Sequence, residues 1–108
     1  GVKPPAGLPG INLLDPKAVR RRASVSGECF THDAVDLDKP ESGLRWRWIV
    51  RDGWKLILPT PWNEPNAKPE LYRIVEDPFE QADLVAQHPL QVSRLRRELE
   101  KEWKPVWP

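Results

Sequence analysis

The chain has 108 residues, and its 17 basic and 16 acidic side chains give a formal charge of +1 at neutral pH. This length fits one domain, and the even balance of charge argues against capture of nucleic acid by a strongly basic surface. No apolar run approaches the roughly 20 residues that a transmembrane helix needs, so no membrane association is expected.

The N-terminal residues 1–22 are predicted to be a linker and lead-in segment ahead of a folded unit at residues 23–108. Residues 1–10 contain three prolines and three glycines, which favour an extended conformation. Residues 17–22 follow with four cations and are expected to be either a helical turn or a basic loop. Because the chain starts at Gly1 and contains no methionine, we expect that it was cut from a larger protein or carries the remnant of a tag.

Alternation of apolar and polar residues predicts short β-strands at residues 23–30, 44–51, 54–58 and 70–75. The second and third strands are joined by Asp52-Gly53, a residue pair that favours a two-residue hairpin turn. The intervening segments at residues 31–43 and 59–69 are polar or proline-rich and are predicted to be loops.

The second strand is predicted to place most of its apolar side chains on one buried face, namely Leu44, Trp46, Trp48 and Val50. We expect a helix to cover that face. The opposite face is expected to be a mixed surface of charged and aliphatic side chains, namely Arg45, Arg47, Ile49, Lys55 and Ile57.

One long amphipathic helix is predicted from residue 89 to residue 103. A proline suits its first position, and a core-facing stripe recurs at spacings of three and four, namely Val92, Leu95, Leu99 and Trp103. Residues 80–87 are either a short helical stretch or a loop. Together these elements predict an α+β fold, in which a small antiparallel sheet of about four strands has a C-terminal helix packed on one face.

One cluster of reactive residue types lies at residues 28–33, where a glutamate, Cys29, His32 and Asp33 occur together. A catalytic cysteine needs a base and an oxyanion hole, and a metal ion needs three or four converging ligands. The favoured interpretation is simpler: a strand end with a half-buried cysteine, followed by a loop histidine. Phosphate-binding loops, multi-cysteine zinc motifs and serine-nucleophile motifs are missing, so we expect no catalytic residue and no metal site.

The alternating arginines and tryptophans of residues 45–48 have two interpretations. Arginine and tryptophan together can hold anionic or sugar ligands, or stack on single-stranded nucleic acid. Alternatively, the tryptophans belong to the core while the arginines extend towards solvent, and this structural interpretation is favoured. Trp62 lies in the proline-rich loop and is a candidate contact residue.

The order of these pieces resembles the C-terminal region of sulfatases. Residues 47–57 are similar to the family's hairpin, which ends in W-K-L-I. Residues 70–84 are similar to the line that follows it, E-L-Y-D-L-x-x-D-P-x-E-x-x-N-L, with Arg73 and Asp83 in place of the common Asp and Asn. The resemblance extends to three further segments, at residues 8–14, 27–28 and 86–95.

The resemblance implies a non-catalytic fragment of a sulfuric ester hydrolase. In that family a large N-terminal α/β domain carries a formylglycine nucleophile and a calcium ion, and Cys29 does not lie in the formylglycine motif. The fragment alone is therefore expected to have no activity and no cofactor, with calcium implied only for the missing domain. The parent protein would act on sulfated glycans or small sulfate esters, in a periplasmic or extracellular location.

The implied role of the fragment is to pack on its own N-terminal catalytic domain and to shape substrate access. His32, Asp33, Arg45 and Trp62 are the candidate residues for that access, because loops that follow strands often carry sites and the substrate is anionic. The alternative function is an autonomous binding or oligomerisation module, because a subdomain without its partner exposes apolar surface. In that case we expect homo-oligomers that form through the sheet face or the linker.

Overall fold

The structure is a computed structural model that describes residues 5, 7, 10–33 and 35–106. It contains a four-stranded antiparallel sheet with one long helix, which confirms the predicted α+β architecture. The elements in chain order are α1 (Pro16–Arg21), β1 (Ser24–Phe30), a 3-10 turn (Pro40–Gly43), β2 (Leu44–Arg51), β3 (Trp54–Pro59), β4 (Glu70–Arg73) and α2 (Pro89–Glu102). The predicted linker at residues 1–10 lies largely outside the described residues.

Most element boundaries match the sequence prediction, and the differences have local causes. The basic segment is helical, and it starts where Asp15 Oδ1 accepts a hydrogen bond from the Lys17 amide at 2.8 Å. β4 ends at Arg73, two residues earlier than predicted, because the Arg73 carbonyl accepts hydrogen bonds from two turn amides, those of Glu76 and Asp77. Residues 80–87 form turns and bends instead of the helical alternative.

The turn at Asp52-Gly53 determines the register of the central strands. Both residues have positive φ, at 51° and 76°, as a two-residue turn of this type requires. The turn pairs Ile49 with Leu56, and Leu56 in turn pairs with Leu71 on β4. Directly paired residues share a face, so these three aliphatic side chains form a continuous row across the sheet.

Helix α2 packs on this aliphatic row. Leu95 and Leu99 are fully buried against Ile49, Leu56 and Leu71, which are also fully buried. Partly buried side chains from the sheet, the helix and the segment before the helix surround this core, namely Trp54, Leu58, Leu84, Val85 and Val92. Val92, Leu95 and Leu99 of the predicted stripe therefore face the core, whereas Trp103 lies just beyond the end of the helix and outside this core.

The predicted assignment of the two sheet faces was wrong. The helix covers the face with Arg47 and Ile49, whereas Trp46, Trp48 and Val50 lie half-buried on the opposite face. The register places Leu56 of β3 and Leu71 of β4 on the same face as Ile49, so this aliphatic row and not the tryptophans marks the face that the helix covers. Only Leu44 meets the expectation of full burial, beneath the loops at the start of β2.

We refer to the side of the sheet opposite α2 as the open face; it carries Val25, Gly27, Cys29, Trp46, Trp48, Val50, Lys55, Ile57 and Tyr72. Gly27 has a specific role there, because a Cβ at this position would lie only 2.7 Å from Cζ2 of Trp48. The indole therefore lies directly against Gly27. At the far side of the open face, Lys55 Nζ lies 2.5 Å from Glu80 Oε1.

Polar contacts fix the C-terminal half of α2 against β1 and β2. The Arg51 guanidinium donates to Glu98, and the hydroxyl of Ser26 donates to Glu102. Burial opposes the charge on Glu98, but hydrogen bonds from Arg51 and Ser24 outweigh it and lower the pKa of this carboxyl below its ordinary value. The ionised glutamate therefore favours the folded state.

Replacement of Leu95 by alanine should destabilise the fold by about 3 kcal/mol, because it leaves a cavity at the centre of the helix–sheet contact. The measurement is urea unfolding followed by tryptophan fluorescence. Leu90→Ala is the matched control on the same helix, because Leu90 is 85% exposed and its truncation should change stability by less than about 0.5 kcal/mol. Equal effects of the two substitutions would contradict the observed orientation of the helix.

Stability should fall as the pH drops below the ordinary pKa of a glutamate, because the folded-state pKa of Glu98 is lowered. The stabilisation is fully present above the unfolded-state pKa and is lost as the pH falls through the folded-state pKa. Thermal unfolding between pH 3 and pH 7 measures this dependence. Glu98→Gln should lower the melting temperature at pH 7 and make the melting temperature depend less on pH. If the melting temperature of that variant fell as steeply with pH as that of the unmodified chain, Glu98 would not be the group responsible.

Candidate functional site

The loop between β1 and β2 and the loop between β3 and β4 meet at one end of the sheet. The two ends of the first loop are joined by a hydrogen bond, which the Thr31 amide donates to the Gly43 carbonyl at 2.7 Å. The second loop begins at Thr60, a buried residue whose hydroxyl donates to the Leu44 carbonyl at 2.6 Å. All four residues predicted to shape substrate access lie in or beside these two loops.

Trp62 and Asn63 of the second loop bind the first loop and the start of β2, and we call their three hydrogen bonds the loop clamp. The Asn63 side-chain amide donates to the carbonyls of Ser42 and Leu44 at 2.8 and 2.7 Å. The indole N–H of Trp62 donates to the Glu41 carbonyl at 2.9 Å. Asn63 was not among the predicted site residues, although an asparagine in a proline-rich loop is a common donor to nearby backbone groups.

Arg45 is held at the same end of the sheet by an ion pair. Its Nε and Nη2 both lie 2.5 Å from Oε1 of Glu64, and the Arg45 side chain remains 46% exposed. The guanidinium thus has a carboxylate partner, so any anionic group that binds Arg45 must compete with Glu64. Sequence reasoning did not identify Glu64, which lies 19 residues away along the chain.

His32 and Asp33 lie on the exposed part of the first loop. Their side chains are fully exposed and contact each other, with 3.3 Å between His32 Nδ1 and Asp33 Oδ1. They line a depression of about 260 Å³ whose other walls include Phe30, Val35 and Leu37. The exposure of the histidine leaves it free to contact a larger partner or ligand, but no buried base orients it.

The four predicted access residues do not converge on one pocket. His32 and Asp33 line the depression beside the first loop, whereas Trp62 lines a separate hollow between the second loop and the end of α2. Arg45 lines neither of these two hollows. The four side chains therefore lie spread around this end of the sheet. They do not converge on a common point, as the side chains of a catalytic centre do.

The reactive cluster predicted at residues 28–33 is dispersed by the strand geometry. Successive strand residues point to opposite faces, so Glu28 faces Arg47 while Cys29 lies on the open face. Cys29 is exposed, in contrast to the half-buried position that was expected. Within residues 10–33 and 35–106, no three His, Cys, Asp or Glu side chains come close enough together to hold a metal ion.

Arg47 is the one arginine of the hairpin that is nearly fully buried. Its Nη2 donates to the Leu99 carbonyl at 2.9 Å, and the guanidinium lies 5.4 Å from the ring centre of Trp103. Burial lowers the pKa of Arg47, and the charges of nearby glutamates, Glu28 above all, oppose that effect. This arginine therefore stabilises the end of α2 and is not available to an external ligand.

No protein-family model matches this chain, and no curated protein matches it either. The sulfatase resemblance therefore remains a prediction from the motifs. In the part of the chain that the structure describes, no helix has the length and apolarity needed to cross a membrane.

Asn63→Ala should release the first loop, because it removes both side-chain donors to the Ser42 and Leu44 carbonyls. We expect a loss of about 1–2 kcal/mol in unfolding free energy and faster amide hydrogen exchange in residues 35–43. Asn66→Ala is the control, because Asn66 is exposed in the same loop. Exchange that is equally slow in both variants would exclude a role for the loop clamp.

Proposed function

We propose that this chain is the non-catalytic C-terminal subdomain of a sulfatase, which packs on its own catalytic domain and helps to shape substrate access. The observation that carries the proposal is the open face. Trp46, Trp48 and Val50 are exposed there in part, and no helix or strand in the described part of the chain packs over them. A contiguous apolar surface of this kind is typical of a protein–protein contact.

The residues that carry the sulfatase resemblance have clear structural roles in this chain. Lys55 of the W-K-L-I segment pairs with Glu80 of the D-P-x-E segment, and so joins the hairpin to the region before α2. Asp77 accepts a hydrogen bond from the Ala82 amide at 2.9 Å, and backbone N–H donors lower its pKa. These contacts explain why such residues would occur together at this spacing.

The departure at Asp83 is also compatible with the resemblance. Asp83 Oδ1 accepts hydrogen bonds from the amides of Leu71 and Val85, at 3.0 and 2.9 Å. An asparagine, which is common at this position in the family, has a side-chain oxygen that can accept the same two hydrogen bonds. The substitution therefore preserves the contact between β4 and the segment that follows it.

The candidate access residues fit an accessory role better than a chemical one. His32 and Asp33 are exposed at a loop, and Arg45 and Trp62 are held by neighbouring groups. A substrate that binds between this subdomain and a catalytic domain would meet these side chains at its periphery. Sulfated glycans and small sulfate esters are the proposed substrate classes of the whole enzyme, whose calcium would be held by the catalytic domain.

Val50→Asp should disrupt the full-length natural protein far more than it disrupts the isolated chain, because the charge would be placed in the proposed contact with the catalytic domain. Soluble yield and melting temperature are the measurements, and we expect a drop of at least 5 °C in the full-length protein. Val75→Asp is the control, because Val75 is 74% exposed in the turn after β4. Equal tolerance of both substitutions in the full-length protein would refute packing through the open face.

The sulfatase assignment is tested separately by the reading frame upstream of this chain. The upstream reading frame should encode a formylglycine motif and the acidic ligands of a calcium site. An upstream reading frame without these features would overturn the sulfatase assignment. Turnover of an aryl sulfate by this chain alone would contradict the non-catalytic role.

A further inference from the structure

The two edges of the sheet differ in how their backbone groups are paired. At the β4 edge, the Leu71 amide donates to Asp83 and its carbonyl accepts from the Leu84 amide at 2.8 Å. At the β1 edge, no backbone group of the described residues pairs with the strand on the side away from β2, and the Ser24 carbonyl at the start of the strand accepts a hydrogen bond from Arg22 Nε at 3.2 Å. An unpaired edge presents a row of N–H and C=O groups that can pair with a further strand.

β1 carries few of the features with which proteins usually protect such an edge. Its seven residues include no lysine and no proline, and its one charged residue, Glu28, lies on the side of the sheet that faces Arg47. The irregularity in pairing occurs only at its end, between Cys29 and Phe30. The remainder of the strand is available for regular pairing.

Opposite charges flank this strand. The segment before it carries four cations, Lys17, Arg20, Arg21 and Arg22, and the loop after it carries four carboxylates, Asp33, Asp36, Asp38 and Glu41. In the described structure none of these eight side chains forms an ion pair with a lysine, arginine, aspartate or glutamate of opposite charge. A seven-residue strand spans about 23 Å, well beyond the screening length of about 8 Å at physiological salt, so the two flanks cannot neutralise each other within one copy.

We propose that β1 pairs with β1 of a second copy, antiparallel and about a two-fold axis through Gly27. In that arrangement the basic segment of each copy lies beside the acidic loop of the other, so both unpaired flanks are neutralised. Val25 lies opposite Cys29, and Ser26 lies opposite Glu28, so no like charges face each other. The contact is isologous, since the same surface is used by both copies, and it closes as a dimer.

Gly27 suits the position on the axis. It has no side chain on the open face, and the Trp48 indole lies against it. Two copies joined at this point form one eight-stranded sheet, with the two Trp48 indoles close to the axis. The association uses the strand edge and not the surface of the open face, so it does not depend on the sulfatase assignment.

Charge-reversal variants test the arrangement. R20E/R21E/R22E makes both flanks acidic, and D33K/D36K/D38K makes both flanks basic. In sedimentation experiments on the full chain, the unmodified protein should dimerise at micromolar concentration and more weakly at high salt. Each triple variant alone should dimerise at least tenfold more weakly, and an equimolar mixture of the two should regain dimers, because acidic flanks then meet basic ones.

R96E/R97E/K101E is the matched control for R20E/R21E/R22E, because it produces the same change in net charge on exposed positions of α2. It should dimerise like the unmodified chain. The proposal is overturned if the unmodified chain stays monomeric up to 500 µM, which is about a hundredfold above the expected range. It is also overturned if the mixture of the two flank variants stays monomeric, or if the control loses dimers equally.

The register is tested by Val25→Cys, which places a thiol opposite Cys29 of the second copy. Residues 25 and 29 of one strand are about 13 Å apart, too far for a disulfide within one chain. Mild oxidation should therefore yield a covalent dimer, whereas Val75→Cys should not. Equal cross-linking of the two variants would exclude pairing centred on Gly27.

Discussion

The turn between β2 and β3 determines which side chains can share a face of this sheet. Asp52 and Gly53 both adopt positive φ, and the two-residue turn that they form sets Ile49 against Leu56. A shift of one residue would move the aliphatic row to the other face and leave Leu95 and Leu99 without their contacts. The position of α2 depends on this register, and so do the contacts that Arg47 and Arg51 make with the helix.

Local patterns predicted the elements of this fold well because each element has its own short-range signal. The hairpin follows from Asp52-Gly53 between two alternating segments, and α2 follows from a proline and a regular apolar stripe. The choice of covered face could not be read from one strand, because both faces of β2 are partly apolar. That choice depends on which residues of β3 and β4 lie on each face. Because of its two tryptophans, the prediction chose the wrong face of β2.

The candidate site was predicted in position but not in organisation. His32, Asp33, Arg45 and Trp62 do lie at the end of the sheet where the two loops meet, because strand order brings those loops together. Asn63 holds the first loop and Glu64 holds Arg45, each through contacts with residues about 20 positions away along the chain. Sequence spacing holds no signal for such contacts. The two loops are thus joined to each other and to the start of β2 by side-chain contacts.

The close contact between Trp48 and Gly27 links two positions that are 21 residues apart in sequence. Any side chain at position 27 would push the indole away from β1, and a small residue at position 48 would leave the glycine exposed in a weakened strand. In related chains these two positions should therefore vary together, with a larger residue at 27 accompanied by a smaller one at 48. Covariation of these two positions would therefore identify the open face from aligned sequences alone, without a structure.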